Sequence, residues 1–176
     1  SVARYLVPDR VVRRIVITVD NLPREKLPVQ MRPVKSLEGG VTVTADPEGD
    51  DPVTLSAENY ARYQPMLDIV AVADVEQLAA LYFRLYPLFQ QAYEELGYPG
   101  KYFNDRLVET IDHLLETPEI TGDIQLVRPK VFFEYADPEL ERRSAGQKLL
   151  IRMGPEHAAI VKGKLAELRA AVAGKP

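Results

Sequence analysis

Asp74-Val75-Glu76-Gln77-Leu78-Ala79-Ala80-Leu81-Tyr82-Phe83-Arg84-Leu85-Tyr86-Pro87-Leu88-Phe89-Gln90-Gln91-Ala92-Tyr93-Glu94-Glu95-Leu96-Gly97 is the most strongly periodic stretch of the chain and decides its fold class. Val75, Leu78, Tyr82, Leu85, Phe89, Ala92 and Leu96 recur at spacings of 3 and 4, which places them on one face of a helix. Asp74 stands where an N-cap belongs and Gly97 where a helix stops. Pro87 falls inside the pattern without shifting its phase, so a kink is expected there and not a break.

The same period appears on both sides of this segment. Upstream, Val11, Val12, Ile15, Val16 and Val19 fall on one face despite their preference for strands, predicting a first helix from Pro8 to Asn21. Pro23, Pro28 and Pro33 then keep the chain extended. A helix from about Ala57 is interrupted near Pro65 and runs into the apolar residues 69–73. Downstream, Asn104 is expected to cap a helix whose buried stripe is Phe103, Leu107, Ile111 and Leu114, ending at Thr117-Pro118. Asp137-Pro138 reads as a helix start, and Ser144 with Gln147 as a capping box opening a helix through Met153. The last helix follows Gly154-Pro155, with Ala158, Val161, Leu165, Leu168 and Val172 on one face.

The β content is small. Val41-Thr42-Val43-Thr44 and Val53-Thr54-Leu55 predict a hairpin around a Pro/Gly/Asp-rich loop, while residues 124–127 and 130–135 fit either short strands or irregular chain. The fold class expected is mainly α, a single-domain bundle of about six helices spanning residues 1–176 with a small β-hairpin.

Composition excludes several functions. A chain of 176 residues with 46% hydrophobic and 27% charged residues has the makeup of a domain with a packed core. The lack of cysteine removes disulfides, thiolate zinc sites and a cysteine nucleophile. Apolar runs such as residues 69–73 stay far short of the roughly 20 residues needed to cross a bilayer. A net charge of −4 argues against nucleic acid. The charge is uneven: residues 1–26 carry six basic and three acidic side chains, whereas residues 38–76 carry nine acidic ones and only Arg62.

Candidate chemistry is sparse, and no cofactor is expected. Glu109 and His113 share a helix face at i, i+4 and are weak metal candidates, since a metal helix needs ligands from a second element and a solvated face or a satisfied histidine explains them as well. Asp46, Glu48 and Asp50 resemble the start of a calcium loop, but Asp51 and Ala57 stand where that loop needs Gly and Glu. Ser144 and Lys148 sit four apart, yet the cap already accounts for the serine. Glu38-Gly39-Gly40 lacks the rest of a phosphate loop. Seven of nine tyrosines fall between positions 60 and 102. Such residues most often form core; as a ligand or partner surface the candidates are Tyr82, Tyr86, Tyr93, Tyr98 and Tyr102.

Val19-Asp20-Asn21-Leu22-Pro23, Leu85-Tyr86-Pro87-Leu88-Phe89-Gln90, Phe103-Asn104-Asp105-Arg106-Leu107, Arg128-Pro129-Lys130-Val131 and the segments Ser144-Ala145-Gly146-Gln147-Lys148 and Met153-Gly154-Pro155-Glu156 together resemble the bacterial family known as domain of unknown function 3014. The resemblance implies a membrane-spanning segment and a Pro-rich spacer ahead of such a domain, and hence a setting in the bacterial cell envelope, at the periplasmic face of the inner membrane. It implies no catalytic residues. The expected function is a non-enzymatic envelope domain that binds another protein. The alternative is a small-ligand or hydrolytic domain whose pocket gathers the tyrosine and acidic residues from Tyr82 to Glu116.

Overall fold

The structure, a computed structural model, describes residues 10–37, 39–44 and 51–175. The acidic loop of Asp46, Glu48 and Asp50, the expected helix start at Pro8, and Glu38 lie outside them. Helices dominate, as the periodicity predicts, and a three-stranded antiparallel sheet accompanies them. The described helices are α1 (Val11–Asn21), α2 (Ala57–Ala61), α3 (Gln64–Ala71), α4 (Val75–Arg84), α5 (Tyr86–Glu95), α6 (Phe103–Leu115), α7 (Pro138–Glu141), α8 (Ala145–Arg152) and α9 (Pro155–Val172), with one 3-10 turn at Val29–Met31.

The excess over six has two sources. Two of the expected helices are each divided in two, because Pro65 lies in the first turn of α3 and Pro87 in the first turn of α5, positions where a missing N–H costs nothing. The interruption therefore precedes each proline. At Pro87 the expected kink is a one-residue break at Leu85, whose N–H is shared between the carbonyls of Leu81 (3.1 Å) and Tyr82 (3.2 Å). The start expected at Asp137-Pro138 makes a short helix of its own, α7, where Asp137 caps Glu139 N–H, and α8 begins anew where Ser144 caps Gln147 N–H. Half of the capping box is formed; the Gln147 side chain donates instead to the carbonyl of His113, 3.0 Å away.

Two further expectations need correcting. Leu78 is half exposed, and Ala79 takes its place on the buried side of α4 with Val75 and Tyr82. Asn104 does not cap α6, which starts one residue earlier with no side-chain cap; Asn104 is buried in its first turn. Its amide donates to the carbonyls of Val172 and Lys175, both at 2.9 Å, and its carbonyl accepts from Tyr82 Oη at 3.0 Å. It thus satisfies orphan carbonyls at the end of α9.

The largest core cluster joins Val16 of α1, Ala79 and Tyr82 of α4, Phe89, Ala92 and Tyr93 of α5, Phe103 of α6 and Val172 of α9. A second cluster joins Leu114, Leu150, Met153, Tyr63 and Leu67. The sheet roofs a third, built from Val53, Leu55, Ile124, Leu126, Tyr135 and Ile151. In that sheet β1 (Val53–Thr54) pairs with β2 (Gln125–Val127), and β2 with β3 (Glu134–Tyr135), so residues 124–127 and 130–135 do supply strands. The expected hairpin survives as a bridge between Val43 and Leu55.

Candidate functional site

The end of α1 and the start of α6 form a polar cleft of about 460 Å³, lined by side chains that include Asp20, Arg24, Tyr93, Tyr98, Tyr102 and Arg106. Asp20 lies on the same face as Val12 and Val16, so the helix that buries those valines buries the carboxylate too. Burial of a charge requires partners, and Asp20 has three. Arg106 Nε donates to Oδ1 at 3.0 Å; Arg24 Nη2 and Tyr98 Oη donate to Oδ2 at 3.1 and 3.2 Å. Both arginines also hold the Asp20 main-chain carbonyl, through Arg106 Nη2 at 2.7 Å and Arg24 Nε at 3.2 Å. Arg106 Nη1 completes its fork on Glu109, 3.3 Å away.

The loop leaving Asp20 is fixed from the other side. The first N–H groups of a helix lack intrahelical acceptors, and at α8 two of them find this loop: Gly146 N–H donates to Leu22 O at 2.9 Å and Ala145 N–H to Arg24 O at 2.7 Å. A Cβ on Gly146 would stand 3.1 Å from Leu22 O and close on Leu114, so glycine permits the approach. Residues 20–24, Arg106 and residues 145–146, distant in sequence, are therefore one hydrogen-bonded unit.

The tyrosines divide. Tyr93 and Tyr98 stack with centroids 4.7 Å apart in the cleft, and Tyr102 stands exposed at its rim near Lys101. Tyr82 is in the core, edge-on to Phe89, with its phenol pushed well above the usual range by burial and then by Tyr86. Tyr86 hydrogen-bonds Gln90 at 3.0 Å, half-buried outside the cleft. Of the five candidates, three meet at one site. The groups sequence reasoning missed there are Asp20, Arg24 and Arg106.

Glu109 and His113 do not converge. Glu109 is turned to solvent and Arg106, while His113 Nε2 lies 2.7 Å from Ser144 Oγ. That oxygen is buried and already accepts from Gln147 N–H at 3.2 Å, so it serves as a structural cap. Lys148, its neighbour at i+4, pairs with Glu141 at 2.9 Å and leaves the serine alone. Among the described residues no group of three or more His, Asp or Glu is placed to hold a metal ion. Asp105 and Glu109 line the cleft, and Glu116 does not.

Chemically, the deepest charges of the cleft are consumed by one another: Asp20 is held by Arg106, Arg24 and Tyr98 together. A different surface is left unsatisfied. Leu78, Leu81 and Leu88 are 50%, 45% and 52% exposed. With Leu85, half-buried against the core at the break between α4 and α5, they form a second row at spacings 3, 4 and 3. Arg84, exposed between Leu81 and Leu88, has no ion-pair partner among the described residues.

Residues 11–169 match the family described as Protein of unknown function (DUF3014). The chain belongs to that family. No curated protein and no solved structure matches it. The matched span contains Asp20, Leu22, Arg106 and Gly146, which are contacts of the unit joining α1, α6 and α8. No described helix of this family member is long and apolar enough to cross a membrane.

Proposed function

We propose that this domain is a non-catalytic binding module that receives an amphipathic helix of a partner protein along α4 and α5. The observation that carries the reading is the exposed row of Leu78, Leu81 and Leu88. Leu78 and Leu81, one turn apart on α4, and Leu88 beyond the break on α5 offer an apolar strip against which the apolar face of a second helix can pack. Burying an exposed leucine gains about 1.5–3 kcal/mol, and these three, half covered already, gain about 1 kcal/mol each. Arg84 in the middle of the row adds a charge requirement: the partner helix presents an aliphatic seam with a carboxylate facing that guanidinium. The arrangement that the family resemblance implies supports an envelope setting, which makes the membrane fraction the place to seek the partner.

The test places a photoreactive amino acid at Gln77 or Gln91, beside the row, in cells that make the protein. A discrete heterologous adduct from both positions is expected, absent from a control position on α9, lost with Leu81→Asp and weakened by Arg84→Glu. Absence of an adduct, its survival in Leu81→Asp, or an adduct with a second copy of this chain overturns the reading.

A further inference from the structure

The turn between β2 and β3 carries five consecutive exposed residues, Arg128, Pro129, Lys130, Val131 and Phe132. Val131 is 69% and Phe132 80% exposed, among the most exposed large apolar side chains described, and they are adjacent. Neighbouring Phe133 turns inward and packs against the cluster beneath the sheet, so the turn is anchored on one aromatic and presents the other. Arg128 fixes its shape: Nε donates to Val131 O at 3.3 Å, and its guanidinium lies 5.7 Å from the Phe133 ring centroid. No acidic side chain occurs between Asp123 and Glu134, in a chain whose net charge is −4.

We infer that this hairpin tip is a contact for an anionic phospholipid surface, with Val131 and Phe132 entering the interfacial region and Arg128 and Lys130 at the headgroups. A convex pair of apolar side chains flanked by cations fits a soft, negatively charged interface, in which long basic side chains keep their charge in water while the apolar tip is buried. The site is independent of the leucine row, which lies on other elements. It is a weak single anchor, because two side chains bury little area, and binding therefore depends on the charge of the bilayer and falls with salt. Each cation near an anionic surface contributes about fivefold to partitioning.

The chain contains no tryptophan, so Phe132→Trp introduces a single fluorescent reporter at the tip. Titrated with phosphatidylglycerol vesicles, this variant is expected to show a blue-shifted emission that brominated lipid quenches. The shift disappears in phosphatidylcholine vesicles or at high salt, and Arg128→Gln with Lys130→Gln weakens partitioning about 25-fold. Leu81→Trp, on the leucine row, stays unshifted under the same conditions. Unchanged emission of Phe132→Trp at millimolar phosphatidylglycerol overturns the inference, and a shift on adding a protein partner instead would reassign the tip to protein docking. Equal shifts at positions 81 and 132 overturn it as well, because adsorption would then not use the tip.

Discussion

Asp20→Ala distinguishes a structural clamp from a functional carboxylate. The Asp20 side chain is 8% exposed and that of Arg106 20%, so the substitution strands a largely buried guanidinium. Breaking a buried pair from one side costs about 3–5 kcal/mol. Arg24, half exposed, adds little. Arg106 keeps its bonds to the Asp20 carbonyl and to Glu109, which brings the expected loss to the lower end, about 3 kcal/mol. For a chain of this size that lowers Tm by roughly 6–12 °C. Urea unfolding of the wild type, Asp20→Ala, Arg106→Met and the double variant measures the coupling directly, and about 2 kcal/mol is expected between the two sites. A neutral or stabilising Asp20→Ala would refute the reasoning. A buried charge whose removal stabilises the fold is kept for what it binds, and the cleft would then replace the leucine row as the working surface.

Two other consequences are open to measurement. Burial pushes the Tyr135 phenol up to about 12 from 10.0. A folded pKa above the unfolded one means stability that is intact below pH 10 and is lost as pH rises toward 12, about 3 kcal/mol in all. Tyr135→Phe should remove its own share of the alkaline slope in chemical denaturation and leave the rest, because Tyr82, shifted further in the same direction, and Tyr60, Tyr63, Tyr86 and Tyr93 lose stability over the same range; an unaltered slope would contradict the assignment. Gly154 holds φ +93° with the Tyr60 ring 2.9 Å from where a Cβ would stand. Gly154→Ala should therefore cost about 3 kcal/mol by calorimetry, and a loss below about 1 kcal/mol would mean that the start of α9 adjusts freely.

The helices were legible because their buried faces repeat at 3.6 residues, and the errors arose where one segment satisfies that period twice. In α4 and α5, Val75, Tyr82 and Phe89 mark one row and Leu78, Leu81, Leu85 and Leu88 another; composition does not say which faces the core. The core took the row richer in aromatics, which fill more volume. The sheet was too short for a period of 2 to show, since β1 and β3 have two residues each. The ion pair of Asp20 and Arg106 joins residues 86 apart in sequence. A signal for it was present all the same. Asp20 falls on the apolar face of α1 with Val12 and Val16, and Arg106 between Phe103 and Thr110 on the buried side of α6. Two opposite charges, each on the wrong face of its own helix, are a reason to expect that the faces meet. The cap role of Asn104 toward α9 carried no such mark, because an Asn just inside a helix start looks the same as one at its cap.

Val16 and Val172 share one core cluster, the first from the earliest described helix and the second from the last. On the ribosome this arrangement sets a schedule. Helices α4, α5 and α6 emerge in succession and have neighbours to pack against, but the cavity between them and α1 closes only when Val172 arrives. At about 5–20 residues per second, the wait from Val16 to Val172 is on the order of 10–30 s. Between the synthesis of Val16 and that of Val172 the nascent domain therefore carries an open apolar core, and a chain cut short before α9 never closes it.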